Sequence, residues 1–262
     1  MSAAPRGKRL RVPIEALEAG DLELSKEAAA YVARVHRLSE GAVFTVFDPE
    51  RAIEADARIA SVGAGGRAVT VRVEGVRPAE VRAPRPVTLV QALGKGDKMD
   101  AIVRDATELG ATRIAPVIAE RSVVRPEDVA ARAARWRRIA IEAARQCGRG
   151  DAPVIDGPAP LLEAIAAMTA EDGRIQGFGA CLVPGAAGEL GAALGALDPA
   201  APVTIVVGPE GGLSAEEIAA CEGAGIASFG LGPLVLRTET VCAAVLGALM
   251  ILPRFVGGRA AR

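Results

Sequence analysis

Residues 203–217 read Val-Thr-Ile-Val-Val-Gly-Pro-Glu-Gly-Gly-Leu-Ser-Ala-Glu-Glu, and residues 226–240 read Ile-Ala-Ser-Phe-Gly-Leu-Gly-Pro-Leu-Val-Leu-Arg-Thr-Glu-Thr. Val203 to Val207 is a continuous apolar run of strand length, the pattern of a strand buried on both faces. Gly208 ends it. Ser214 and Glu217 then have capping-box spacing, which predicts a helix running to about Gly223. A short strand over Ile226 to Phe229 follows, then a second glycine loop, then a final apolar helix from Val241 to Leu252. Two glycine-rich loops therefore stand at strand ends. In an open α/β sheet, ligands bind outside the carboxyl ends of strands, and glycine lets the backbone approach them closely. The pattern predicts a cofactor pocket with Arg237 and Glu239 beside it.

Working outward, the chain divides near Arg77 to Pro86, where Pro78, Pro84 and Pro86 interrupt two differently patterned regions. Before that boundary, residues 42–47, 53–59 and 69–73 alternate apolar and polar side chains between turn signals, as a small β-barrel does. After it, strands at Val87 to Gln91, Ile114 to Ile118 and Cys181 to Val183 alternate with helices at Met99 to Leu109 and Ala130 to Gln146. That order implies a parallel sheet.

The chain has 262 residues, 50% of them hydrophobic, enough for two domains with cores of their own. No uninterrupted apolar stretch of membrane-spanning length occurs, and the basic start lacks a signal-peptide core, so a cytoplasmic location with no membrane association is expected. Cys147, Cys181, Cys221 and Cys242 are widely spaced and read as ordinary buried thiols, and with one histidine, His36, they offer no metal site. His36 reads as structural, which excludes a histidine-based hydrolase at the C-terminal loops. The net charge of −1 is unlike that of a nucleic-acid binder, but basic residues cluster at the start, at Arg34 and Arg37, and along residues 132–149. Neither a Walker loop nor a dinucleotide fingerprint is present.

Gly208 to Gly212, Leu231-Gly232 and Leu236 to Thr240, together with Gln91 to Met99, Glu108-Leu109-Gly110, Glu120-Arg121-Ser122 and Arg145 to Arg149, closely resemble the motifs of the bacterial 16S rRNA (uracil-N3)-methyltransferase family of the SPOUT superfamily. The likeness covers nearly the whole chain and is weakest over Leu161 to Pro202, where only Gly179 to Pro184 fits. The resemblance implies an α/β fold: a SPOUT methyltransferase domain over residues 85–262, with a parallel sheet and a C-terminal trefoil knot, preceded by a PUA-like, RNA-binding β-barrel over residues 1–80. It also implies a homodimer that uses S-adenosylmethionine to methylate N3 of a uridine in 16S rRNA, with free rRNA and the small ribosomal subunit both open as the form of the substrate.

The site residues implied are Leu182, Gly208, Glu210, Gly212, Leu231, Gly232 and Leu236 for the cofactor. Arg11, Arg37, Lys95, Lys98, Arg121 and Arg149 are implied for RNA, and Arg237 and Glu239 for catalysis. Arg237 suits stabilisation of a uracil anion, because a guanidinium stays charged and presents a fork of donors. A helix-capping role for Arg237 and Glu239 is the simpler alternative. The general base is unassigned, with Glu210 the remaining acidic candidate. Two rivals stand beside this reading: a SPOUT enzyme acting on another rRNA or tRNA nucleotide, and a noncatalytic RNA-binding dimer.

Overall fold

A computed structural model describes residues 9–94, 96–123 and 129–256. The chain forms two compact units. The first comprises residues 1–82 together with 144–152, and the second residues 83–143 and 153–262.

The first unit holds β1 (Arg11–Pro13), β2 (Gly20–Glu23), α1 (Lys26–Ala29), β3 (Val43–Asp48), β4 (Ile53–Val62) and β5 (Val69–Pro78). Ser25 caps α1, which runs directly into a π-helical segment, Ala30–Val35. The strands pair in the order β1-β3-β4-β5-β2. β5 over Val69 to Glu74 and β4 over Ala55 to Ala60 follow the expected alternation, whereas β3 is buried at five consecutive positions, Phe44 to Asp48. The two edge strands, of three and four residues, are too short to show a period-two pattern in sequence. Among the described residues the pairing runs in a line from β1 to β2, so hydrogen bonding does not close the sheet into the expected barrel. Phe44, Val46, Ile59, Val71 and Leu17 form its core, with Ala29 and Val32 packed in from the helical segment.

The segment 144–152 completes this unit. Gly150 donates its N–H to the carbonyl of Val81 and Ala152 to that of Pro49. Gly150 is required by proximity, since a Cβ there would lie 2.2 Å from that of Ala79. Continuous helical periodicity carries no mark of which unit each turn packs against, and the expected single boundary missed this return.

Among the described residues the second unit is built on a seven-stranded sheet, every pairing parallel. Its strands are β6 (Val87–Ala92), β7 (Arg113–Ile118), β8 (Val154–Ile155), β9 (Ala159–Pro160), β10 (Phe178–Leu182), β11 (Val203–Val207) and β12 (Ile226–Phe229). The order is β12-β10-β11-β6-β7-β8, with β9 also paired to β7. The helices are α2 (Lys98–Glu108), α3 (Val129–Cys147), α4 (Leu161–Met168), α5 (Leu190–Gly195), α6 (Ala215–Gly223) and α7 (Thr238–Val256).

One sheet face packs on α2, α3, α5 and α7 through residues such as Leu89, Ile102, Trp136, Leu194, Ile205 and Leu246. The other packs on α4 and α6 through Val90, Val117, Leu161, Val206 and Cys221. Both faces are thus covered, which is why β11 reads as a continuous apolar run. The last helix begins at Thr238, three residues before the expected start, because the polar Thr-Glu-Thr turn is itself helical. Among the described residues no helix is long and apolar enough to cross a membrane.

Of the four cysteines expected to be buried, three are; Cys147, at the end of α3, is exposed. Burial pushes the Cys242 thiol up to about 12.

Candidate functional site

The carboxyl ends of β7, β10, β11 and β12 open onto one cavity of about 480 Å³. This lies in the size range of pockets for small organic ligands, about 300–1,000 Å³. Its apolar walls include Leu182, Val183, Val207, Phe229, Leu231, Leu236 and Val241. All seven residues expected to hold a cofactor, Leu182, Gly208, Glu210, Gly212, Leu231, Gly232 and Leu236, line this one cavity, together with Arg237 and Arg121. Val183 and Pro184 also line it, although the surrounding segment was the least informative in sequence.

The two loops need glycine for different reasons. A Cβ on Gly208 would lie 3.0 Å from Cγ of Leu213, so space is the constraint there. Gly232 has φ +98 and, among the described residues, nothing within 4 Å of its Cβ position, so its constraint is backbone conformation rather than size. Gly212, at φ +72, ends a turn in which its N–H reaches the carbonyl of Pro209 at 2.9 Å.

The loop after β11 is fixed at the capping box of α6. Ser214 accepts the N–H of Glu217, and the Glu217 carboxylate accepts that of Ser214 at 2.9 Å. The other oxygen of the same buried carboxylate accepts the N–H of Glu120 at 2.7 Å. Arg121, next in sequence, donates to the carbonyl of Gly211 at 3.2 Å. Glu217 therefore ties the loop after β7 to the loop after β11. Sequence reading saw it as a helix cap alone, since a distant backbone partner leaves no local signal.

A second tie is ionic. Nζ of Lys98, the first residue of α2, lies 2.7 Å from Oε1 of Glu210 and 3.6 Å from Oε2 of Glu239. The hydrogen bond to Glu210 holds the Lys98 ammonium above its ordinary range. The Glu239 carboxylate is held below its ordinary range, first by its own backbone N–H and then by Lys98 and Thr238, against the opposing effect of burial. Thr238 Oγ1 donates to Glu239 at 3.2 Å. Glu239 stands in the first turn of α7, where the helix dipole favours a carboxylate.

Arg237 immediately precedes that helix. Its carbonyl accepts the N–H of Val241 at 2.9 Å, while its exposed side chain makes no hydrogen bond or ion pair among the described residues. Among the described residues Arg237 and Glu239 form no direct ion pair; the ammonium of Lys98 lies 3.6 Å from Glu239, and the Arg237 charge only helps to hold that carboxylate down from farther off. A guanidinium at a helix N-terminus opposes the dipole, so helix formation does not explain the residue.

The remaining basic residues differ sharply in placement. Arg37 is exposed and has φ +53. Arg11 has a side chain only 15% exposed, paired with buried Glu54 at 3.1 Å and stacked over Phe47, and it donates to the carbonyl of Arg149. Arg149 is 6% exposed and bound to Asp151 at 2.7 Å. As folded, Arg11 and Arg149 direct their guanidinium groups into the first unit, and the expectation that they contact RNA does not fit this burial. Lys95 lies outside the described residues. On α3, Arg135 pairs with Asp100, which also accepts Nε1 of Trp136 at 3.1 Å, whereas Arg132 and Arg138 are exposed. His36 is exposed and meets the ring of Tyr31 edge-on at 4.6 Å.

Residues 81–250 match the family model of the RNA methyltransferase domain. A ribosomal RNA small subunit methyltransferase E of Bacillus subtilis is 33% identical over 168 residues, which is 63% of this chain and 66% of that protein. The protein of the same name from Mycobacterium bovis is 36% identical over 204 residues, covering 74% of this chain and 72% of the relative. Among solved structures, a ribosomal RNA small subunit methyltransferase E from Neisseria gonorrhoeae bound to S-adenosyl methionine superposes with a TM-score of 0.79 at 29% identity, over 93% of this chain and 98% of that one. With the matched domain spanning the whole parallel sheet and the cavity at its carboxyl edge, the chain belongs to the RNA methyltransferase family, in the group of the small-subunit ribosomal RNA methyltransferases E.

Proposed function

We propose that this protein methylates N3 of a uridine in 16S rRNA, with S-adenosylmethionine as the methyl donor. The observation that carries the reading is the convergence of Gly208, Gly212, Gly232, Leu236 and Arg237 on one cavity at the carboxyl edge of the sheet. The residues fit the donor. Aliphatic walls suit an adenosine moiety, and glycine turns bring backbone N–H and C=O groups to the cavity without side chains in the way. S-adenosylmethionine supplies an electrophilic methyl group on a sulfonium.

Uracil N3 bears a proton and its lone pair is delocalised into the flanking carbonyls, so attack requires loss of that proton. Arg237, with its side chain exposed at the cavity, stabilises the charge that grows on O2 or O4 of the base. Lys98, protonated against two carboxylates, does not serve as the base. Arg121 at the cavity and Arg37 on the first unit contact RNA phosphates.

In the same reading the first unit is a PUA-like RNA-binding domain, and the second a SPOUT domain with a knotted C-terminal segment, in a cytoplasmic homodimer. Leu234 and Val235, 73% and 83% exposed beside the cavity, and Met250 and Ile251 on α7 supply apolar surface for a second copy. Methylation of another rRNA or tRNA nucleotide uses the same cavity and is separated by the product. Mass spectrometry of 16S rRNA from a deletion strain should show loss of N3-methyluridine, restored by the wild-type gene; retention of the mark would overturn the assignment.

A further inference from the structure

We propose that Lys98 is a positioning residue of the cofactor pocket, an ionic tie that fixes the loop after β11 against the start of α7 through Glu210 and Glu239. The proposal rests on the reading of the cavity as an S-adenosylmethionine site. It assigns Lys98 a different task from the phosphate contact that its basic, glycine-flanked sequence suggests.

Three segments far apart in the chain meet at this ammonium. Lys98 opens α2, Glu210 lies in the glycine turn after β11, 112 positions away, and Glu239 lies in the first turn of α7. A cation at the N-terminus of α2 opposes the helix dipole, so α2 gains nothing from having lysine there. The tie also explains a glycine: a Cβ on Gly94 would lie 3.3 Å from Oε1 of Glu210 and 3.5 Å from Cδ of Lys98, so the position is kept small where the pair passes. Glu210 lines the cavity, and Glu239 is two residues from Arg237, which lines it too. Holding both carboxylates with one ammonium therefore restrains both glycine loops before the ligand arrives, the preorganisation that raises affinity without adding a contact. An isolated exposed pair contributes little, but three charges joining three segments form a network.

The test compares wild type, Lys98→Met, Glu210→Gln, the double variant and Lys98→Arg as full-length proteins. S-adenosylmethionine affinity is measured by calorimetry, thermal midpoint monitors folding, and gel shifts with 16S rRNA fragments are run at several salt concentrations. Each charge-removing single variant should raise the cofactor Kd roughly three- to tenfold. The double variant should be no worse than the poorer single, since the two residues act as a unit. Lys98→Arg should recover most of the affinity, and the salt slope of RNA binding should stay at the wild-type value. An unchanged cofactor Kd in Lys98→Met, with a salt slope lowered by about one unit, would make Lys98 a phosphate contact and overturn the proposal. Fully additive effects would also overturn it. Failure of wild type to bind S-adenosylmethionine would instead remove the underlying reading of the cavity, and the tie with it.

Discussion

The carboxylate of Glu217 accepts the backbone N–H of Glu120 at 2.7 Å across ninety-seven positions of sequence, while its other oxygen caps α6 through Ser214. One buried side chain thus satisfies two backbone donors from two loops that line the cavity. Glu217→Ala would leave both without their partner, and should lower stability by about 2–4 kcal/mol. Glu217→Gln, with a single acceptor oxygen, should lose about half as much. Urea denaturation of the two variants checks the order; equal stability of Glu217→Ala and wild type would show that the tie contributes nothing.

Gly232→Val should fold and yet bind S-adenosylmethionine poorly. The Cβ position is open, so packing is undisturbed, but φ +98 is closed to a β-branched residue and the loop must change shape. Gly208→Val should do worse, losing stability as well, because its side chain runs into Leu213. Circular dichroism melts beside calorimetric titration distinguish the two.

Arg237→Ala should keep cofactor affinity within about twofold and reduce methyl transfer by about a hundredfold or more, the scale on which removal of one charge-stabilising donor acts. Arg237→Lys should remain poor, since a point charge lacks the fork. Single-turnover assays under saturating RNA measure this, and a wild-type rate in the alanine variant would leave Arg237 without a catalytic role.

Arg11 and Arg37 should respond in opposite ways. Arg11→Ala strips a partner from buried Glu54, leaving it Arg77 at 3.4 Å, and should lower stability by about 3 kcal/mol. Exposed Arg37→Ala should leave stability nearly unchanged and reduce the log–log salt slope of RNA binding by about one unit. Thermal melts and salt-dependent gel shifts on both variants decide whether burial or charge governs each position.

Glu239 has a definite pH signature. Its folded-state pKa is depressed, so its stabilising contribution is complete above the ordinary glutamate value of 4.5 and is lost as pH falls through the lower folded value. Glu239→Gln should therefore melt below wild type at pH 7, by the equivalent of about 0.5 kcal/mol, and the gap should close in acid. A gap independent of pH would mean that shape rather than charge is at work.

The second unit was largely legible because its signals are local. Val203 to Val207 is buried on two faces and shows it, and Ser214 with Glu217 marks a helix start wherever that helix packs. Glycines at strand ends led to the cavity for the same reason. What stayed hidden depends on partners distant in sequence. Lys98, Arg11 and Arg149 look alike as basic residues, and only the fold shows that each faces a carboxylate. The short edge strands β1 and β2 carry too few residues to reveal a period, and no composition separates exposed Cys147 from the three buried thiols.

The return of residues 144–152 to the first unit bears on how the protein is made. A chain emerging from the ribosome has synthesised residues 1–82 long before Gly150 can occupy its place against Ala79. The N-terminal unit must then wait, unfinished, through the synthesis of β6, β7 and most of α3, so the usual order in which domains mature one after another from the N-terminus is broken here. By the same geometry a cut near residue 82 yields no clean half: one fragment lacks a strap and the other carries it without its seat.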